Sequence, residues 1–404
     1  MLDKAKLFIS LGTMIVNLTF LPMISSSTAL KPLTENKQAK EVFGFAPYWK
    51  FSQLDNIDFN VLTTLAYFGI PVDQNGYLVE SDQGYITFNG AQATDLFRKA
   101  HAGGTRVVLT LTQMDDPTIE AFLDSDEARQ RLIVSATDLV KERGIDGINI
   151  DFEYCGNSSD YRQKFSRFVA AITRKMHEKV PVSRVTVSVY ASSVKEIKLY
   201  DIKALAQGSD GIFMMAYDFA TSSADMAMPT APLYGYRSGK YWYDVSTAVV
   251  DFLTEMPAEK LILGVPWYGY DYVVYEPKEK AETRPYYSWR GTPTAQTYGV
   301  ASDLISPEAV GKKGYRSGWD SIGQVGWRAY YVPETDTWRM IFLEDIRSLG
   351  IKYDFVKEKN LGGVGIWALG FEEGKNDMWQ LLTAKFGTKV ADIRISEKPI
   401  YEKI

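Results

Sequence analysis

From residue 40 onward, short apolar runs alternate with stretches in which apolar residues recur every three to four positions. The runs are Val42–Ala46, Val61–Phe68, Arg106–Leu111, Gly147–Glu153, Val185–Tyr190, Gly211–Tyr217, Leu261–Tyr268 and Val364–Leu369. Between most of them lie amphipathic stretches such as Glu127–Arg143, Asp160–Lys179, Tyr241–Met256 and Leu343–Lys359. Continuous apolar runs read as strands buried on both faces, and intervening helices make the crossovers of a parallel sheet. Eight such units in about 350 residues predict an α/β fold, a (β/α)8 TIM barrel spanning 40–390. A doubly wound sheet is the competing architecture, but no Gly-rich phosphate loop follows any run.

One spacing is out of line. Between Tyr268 and the helix expected near Leu343 lie about seventy residues, too many for a βα loop. They include two β-type runs, Arg328–Val332 and Trp338–Leu343, joined by Pro333–Thr337, which reads as a hairpin. The pattern predicts an inserted α+β subdomain, 271–342, between strand 7 and helix 7, forming one wall of a cleft. The tail 391–404 shows no period. At the other end, Lys4 and Lys6 precede the apolar run Leu7–Ile24, and Ser27-Thr28-Ala29 follows. That order is expected of a secretory signal over 1–29, or of an uncleaved N-terminal anchor, which would be the chain's one membrane contact. Either way the remainder is expected outside the cytoplasm, secreted or in the cell envelope.

Composition narrows the chemistry. With 45 Lys+Arg against 50 Asp+Glu, a net charge of −5 and no basic block, nucleic acid is not the expected partner. The single cysteine excludes an intrachain disulfide, and two distant histidines, His101 and His177, argue against a histidine-rich metal site. No metal or cofactor is expected. Aromatics reach 13% of the chain, a surplus suited to a groove that stacks on sugar-like ligands.

The most informative stretch is Ile145-Asp146-Gly147-Ile148-Asn149-Ile150-Asp151-Phe152-Glu153. Strand alternation puts Asn149, Asp151 and Glu153 on one face and Ile148, Ile150 and Phe152 on the other. Three hydrogen-bonding side chains on the inner face of a barrel are costly unless they are paired or reach a site. Glu153 ends the strand, at the face where barrel enzymes keep their chemistry. Asp151 is then placed to orient Glu153 and to raise its pKa by like charge, which suits a general acid. The bland reading is a polar plug. A divalent-metal site would need further ligands that few strand ends supply.

This stretch resembles the signature of glycoside hydrolase family 18, Asp-Gly-x-Asp/Asn-x-Asp-x-Glu. Met214-Met215-Ala216-Tyr217-Asp218 is similar to the family's strand-6 motif, Lys260–Tyr270 to its strand 7, and Leu361–Phe371 to its strand 8. Leu343-Glu344-Asp345 and Asn360–Gly370 are most like the spore-germination, cortex-lytic branch. The resemblance implies a retaining glycosidase acting on β-1,4-linked N-acetylglucosamine glycans, chitin or peptidoglycan, without an enzyme nucleophile. Glu153 would protonate the glycosidic oxygen, and Asp151 would hold the substrate's acetamido group as it attacks. Tyr217 would bond that group from the other side, with Asp218 beside it. Trp367 would floor the sugar site, with Asn149 and Tyr268 as further substrate-binding positions. A lectin of the same fold, binding such glycans without cutting them, is the alternative; the presence of Glu153 favours the enzyme.

Three departures from the family carry expectations of their own. Asn149 stands where most chitinases have Asp, so Asp151 should stay ionised to lower pH. The competing expectation is that the Asn149 amide merely bonds to inner-face neighbours. Thr112-Gln113 replaces a Gly-Gly turn, predicting a differently shaped cleft near strand 3. Cys155 is expected to be a small packing residue.

Overall fold

The computed structural model describes residues 40–285, 293–304, 306–311 and 314–387; the N-terminal segment and the tail lie outside them. Eight parallel strands close into a barrel. They are β1 (Glu41–Pro47), β2 (Thr64–Pro71), β3 (Arg106–Gln113), β4 (Gly147–Phe152), β5 (Arg184–Tyr190), β6 (Gly211–Met215), β7 (Leu261–Pro266) and, after an insertion, β13 (Gly363–Trp367). β13 pairs with both β1 and β7, which completes the ring. Among the described residues no helix is long and apolar enough to cross a membrane.

The outer faces of the strands meet the helices as the pattern predicts. Ile148, Ile150 and Phe152 are buried in the main apolar core. Phe152 packs beside Phe122 and Phe165, at ring separations of 5.6 and 6.0 Å. Phe165 belongs to the helix Ser159–Lys179, which buries Phe165, Phe168, Val169, Ile172, Thr173 and Met176 along one stripe. The Ser158 side chain caps that helix by accepting from the Tyr161 N–H. Gly147 opens β4 at φ +145°, where a Cβ would lie 1.9 Å from the Arg184 carbonyl oxygen, so no other residue fits.

The barrel interior is lopsided. On one side Phe43, Phe45, Phe68 and Phe213 form an aromatic cluster, with Phe45 and Phe213 4.8 Å apart. Gly264 and Gly365 leave the room that the Phe213 ring occupies, since a Cβ at Gly365 would approach it to 2.0 Å. On the β3–β5 side the interior is polar: Thr110, Asn149, Asp151, Thr186 and Ser188 are all buried.

The insertion forms a second sheet of strands β8 (Tyr268–Val274), β9 (Thr294–Thr297), β10 (Tyr315–Asp320), β11 (Val325–Val332) and β12 (Thr337–Leu343), ordered β10-β11-β12-β8-β9. β11 and β12 are the expected hairpin. The sheet has its own core, including Tyr272, Val325, Ala329, Met340 and Phe342. It begins at Tyr268, inside what reads in sequence as the end of strand 7. The division falls at Trp267, whose N–H bonds the Trp367 carbonyl (2.8 Å) and whose carbonyl accepts from Tyr298 N–H (2.9 Å).

Beyond the insertion, Glu344 is buried against Lys352, with both carboxylate oxygens within 2.9 Å of the ammonium. Asp345 caps the helix Ile346–Glu358 through a capping box with Ser348. The Leu343-Glu344-Asp345 motif therefore anchors a helix and stands apart from the cleft.

Candidate active site

A cleft of about 620 Å³ opens at the carboxyl ends of the barrel strands. Its acidic floor is Asp151 and Glu153, and β6 and the segment after it contribute Met215, Tyr217, Asp218 and Phe219. Trp367, Phe45 and Phe68 form an aromatic wall, with Trp367 edge-on to Phe68 (4.7 Å) and Phe45 (5.5 Å). Toward solvent the cleft is flanked by Trp49, Met114 and Trp242, each about half exposed.

Glu153 follows the last residue of β4, and its N–H still bonds the Gln113 carbonyl (2.8 Å), so the end of the strand is held in register. Burial raises the Glu153 pKa; the Tyr190 phenol, hydrogen-bonded to the carboxylate, opposes that, Asp218 adds to it and Lys198 opposes it. Asp151 is 3% exposed, and among the described residues its Oδ1 has no hydrogen-bond partner. Burial pushes its pKa well up, and the Glu153 charge adds to the push. That rise is relative to a free carboxyl; the expectation that Asn149 keeps Asp151 ionised to lower pH than an Asp at 149 would is a separate comparison, and the Asn149→Asp variant tests it. Removing a like charge at 149 does not offset the loss of water around the carboxyl. The Glu153 charge disfavours ionisation of both carboxyls together.

Tyr217 lines the cleft, and burial, followed by the Asp151 charge, keeps its phenol protonated as a donor. Asp218 sits at φ +58°, a backbone conformation tolerated by Asp. Its Oδ1 accepts from Thr230 (3.1 Å), Tyr270 (2.9 Å) and Tyr268.

Five of the residues singled out in the sequence, Asp151, Glu153, Tyr217, Asp218 and Trp367, therefore meet in one cleft. Two do not line it. Asn149 is fully buried beneath the floor, accepting from Thr186 (2.8 Å) and donating to Ser188 (3.0 Å), as the competing expectation held. Tyr268 is 5% exposed and spends its hydroxyl on Asp218. Both support residues that line the cleft. The inserted sheet departs from expectation in the same way: none of its described residues lines the cleft, and its hold on the site runs through Tyr268 and Tyr270.

At strand 3, Gln113 turns its side chain back to the chain. Its Nε2 donates to the Val72 carbonyl (2.5 Å) and its Oε1 accepts from Met114 and Asp115 N–H groups. That turn leaves Met114 facing the cleft. Cys155 is exposed rather than packed, because its N–H is drawn to Asp116 (2.9 Å) at the start of a loop. Tyr190 and Lys198, absent from the sequence reading, flank Glu153. Tyr190 ends β5, and the rule that assigns chemistry to the carboxyl ends of barrel strands would have found it. Among the described residues no group of three or more His, Cys, Asp or Glu is placed to hold a metal ion.

Comparison with known proteins agrees with this geometry. Di-N-acetylchitobiase from Mus musculus is 29% identical over 291 residues, covering 69% of this chain and 74% of that protein. The cortical fragment-lytic enzyme of Bacillus subtilis (strain 168) is 23% identical over 334 residues, covering 80% of this chain and 68% of its own. In fold, the Ostrinia furnacalis group IV chitinase, solved in complex with allosamidin, superposes with a TM-score of 0.72 at 19% identity, covering 86% of this chain and 97% of that one. The profile described as "Glycosyl hydrolases family 18" matches residues 41–372, from the first strand of the barrel to just past the last, and the chain belongs to that family.

Proposed function

We propose that this protein is an exported retaining glycosidase that hydrolyses β-1,4-linked N-acetylglucosamine-containing glycans, with the substrate's own acetamido oxygen as nucleophile. The observation that carries the reading is how the carboxyl groups lining the cleft are engaged. Asp218 is held by hydroxyl donors, Glu196 accepts from Ser192 (3.1 Å), and Asp151 is buried with a raised pKa. Glu153, less buried than Asp151 and at the end of β4, combines a raised pKa with neighbours that tune it, Tyr190 and Lys198, as a general acid requires.

In this reading Glu153 gives its proton to the glycosidic oxygen as the bond to the anomeric carbon breaks. The acetamido oxygen closes on that carbon, forming an oxazolinium ion. Because Glu153 carries the one proton of the pair, Asp151 is the carboxylate in this step: it accepts the acetamido N–H and offsets the positive charge, while the Tyr217 hydroxyl steadies the same group. Water, deprotonated by Glu153, then opens the ring and restores the starting configuration. Trp367 offers the face on which the distorted sugar stacks. Export rests on the Lys4–Ala29 pattern.

Turnover of an aryl β-chitobioside and of the matching cellobioside, with a thiazoline analogue of the oxazolinium as inhibitor, tests the reading. The chitobioside should be cut with the β-anomer released first, the cellobioside should be inert, and the thiazoline should compete with substrate. Efficient cleavage of the cellobioside would overturn the substrate-assisted mechanism. Binding of chito-oligomers without turnover of either glycoside would favour the lectin.

A further inference from the structure

Beside the catalytic cleft lies a second cavity of about 550 Å³, and the two share Glu196 and Lys198 as lining residues. Three cations, Arg162, Lys195 and Lys198, surround it. Among the described residues none of the three forms a salt bridge. The Arg162 guanidinium donates to the carbonyls of Lys198 (3.2 Å) and Ile197 (3.1 Å) and to Asn157 Oδ1 (2.9 Å). The Lys195 ammonium stands over the rings of Tyr236 (4.4 Å) and Tyr243 (4.9 Å), and its polar partner is the Trp242 carbonyl at 3.4 Å. Lys198 stands 4.9 Å over the Tyr190 ring.

Nearby Lys164 shows the usual arrangement, paired with both Asp124 and Asp160. Acidic groups around the cavity do not cancel the charge. Among the described residues Glu196 is its one lining carboxylate, and it accepts from Ser192. Asp116 is occupied by the N–H groups of Cys155 and Gly156. Glu153 feels the Lys198 charge from the catalytic cleft and is not among the residues lining this cavity.

Cations placed by carbonyls and aromatic faces have already given up part of their side-chain freedom before an anion arrives, which favours its capture. Because Lys198 belongs to both cavities, an anion held there would hang from a sugar seated in the catalytic cleft. We infer that this side cavity receives a carboxylate carried on the glycan, so that the site selects an acidic N-acetylhexosamine polymer over a neutral one. The inference rests on the glycosidase reading of the cleft and narrows its substrate class. A carboxylate on a lactyl ether and one on a uronic acid ring offer the same chemistry, and the test separates them.

The experiment reads binding on the full-length Glu153→Gln protein by calorimetry. The ligands are an N-acetylglucosamine–N-acetylmuramic acid tetrasaccharide, the same sugar with its carboxylates converted to carboxamides, an alternating N-acetylglucosamine–glucuronic acid oligomer, and chitotetraose. At low salt at least one carboxylate glycan should bind about five- to tenfold tighter than its neutral counterpart, the size expected of one or two partly exposed charge pairs. The advantage should shrink at about 0.5 M salt and fall in Lys195→Met and in Lys198→Met. Whichever acid keeps the advantage identifies the source. Equal affinity for charged and neutral forms would overturn the inference, while hydrolysis of chito-oligomers by the unmodified protein would leave the glycosidase reading standing. A carboxylate preference without hydrolysis of any ligand would do the reverse. No binding of any of the four would overturn both.

Discussion

Strand β4 carries a carboxylate at each end, and the barrel treats the two in opposite ways. Before the strand, Asp146 Oδ2 accepts from His101 Nε2 (2.8 Å) and from the Val107 N–H (2.7 Å). The arrangement recurs two strands later, where Asp210 takes His177 (3.0 Å) and the Val185 N–H (2.7 Å). On the same face Glu41 accepts from Arg184 (3.1 Å) and Thr64 (2.7 Å). At the far end, Asp151 has a buried oxygen with no partner among the described residues, and Glu153 looks into the cleft. Acids supplied with donors fix where strands start. Acids left short of donors are held ready for a ligand, and the cost is borne by the rest of the fold.

The strongest way to break this comparison is Glu153→Gln. Turnover of an aryl chitobioside should fall by about 10²–10⁴-fold, while the melting temperature stays level or rises, because the amide cannot give a proton. Retained activity would remove Glu153 as the acid.

Next comes a paired substitution. Asp151→Asn should remove most of the activity yet stabilise the protein by about 1–2 kcal/mol at pH 8, since the buried charge is gone. Asp146→Ala should cost about 1–3 kcal/mol, leaving the Val107 N–H unpaired, with kcat of the folded fraction little changed. Chemical denaturation and active-site titration together measure both, and equal stability changes would erase the distinction.

The pH dependence of the first difference has a definite sign. A carboxyl whose pKa is raised by folding contributes stability in acid that is lost as pH climbs through the folded value. Asp151→Asn should therefore gain on the parent protein as pH rises above about 4, with the gap flat below that. Denaturation midpoints between pH 3 and 8 would show this, and a gap that narrows with rising pH would contradict the assignment.

The smallest effect belongs to His101. Its hydrogen bond to Asp146 raises its pKa, so the pair contributes fully below the unfolded value of about 6.5 and fades as pH rises through the folded one. The ring is 36% exposed and solvent screens it, so the loss should stay under about 1 kcal/mol. His101→Gln should flatten the stability curve between pH 6 and 8 without altering kcat. An unchanged slope would mean that the pair does not titrate with folding.

Much of this was legible in the chain. The apolar runs located the barrel strands, and alternation in 147–153 gave the inward face of β4, because period and burial are local properties. The hairpin of β11 and β12 was readable from its turn. What escaped was decided by partners distant in sequence. Asn149 looks like a substrate contact until β5 is laid beside β4 and Thr186 and Ser188 take its amide. Tyr268 looks like the end of a barrel strand until Trp267 is seen bridging to Trp367. The inserted sheet looked like a wall because length announces an insertion without saying which way it faces. Only register and docking carry that information.

The lopsided barrel interior also bears on how such a chain can change over generations. Around Phe213 the limiting quantity is space: the ring lies where Gly264 and Gly365 have no side chain, so enlarging one position demands shrinking another. Around Asn149 the limiting quantity is the count of donors and acceptors shared with Thr186 and Ser188, and volume matters less. Relatives aligned strand by strand should then covary by size on one side of the barrel and by hydrogen-bonding capacity on the other, two grammars of substitution within a single closed sheet.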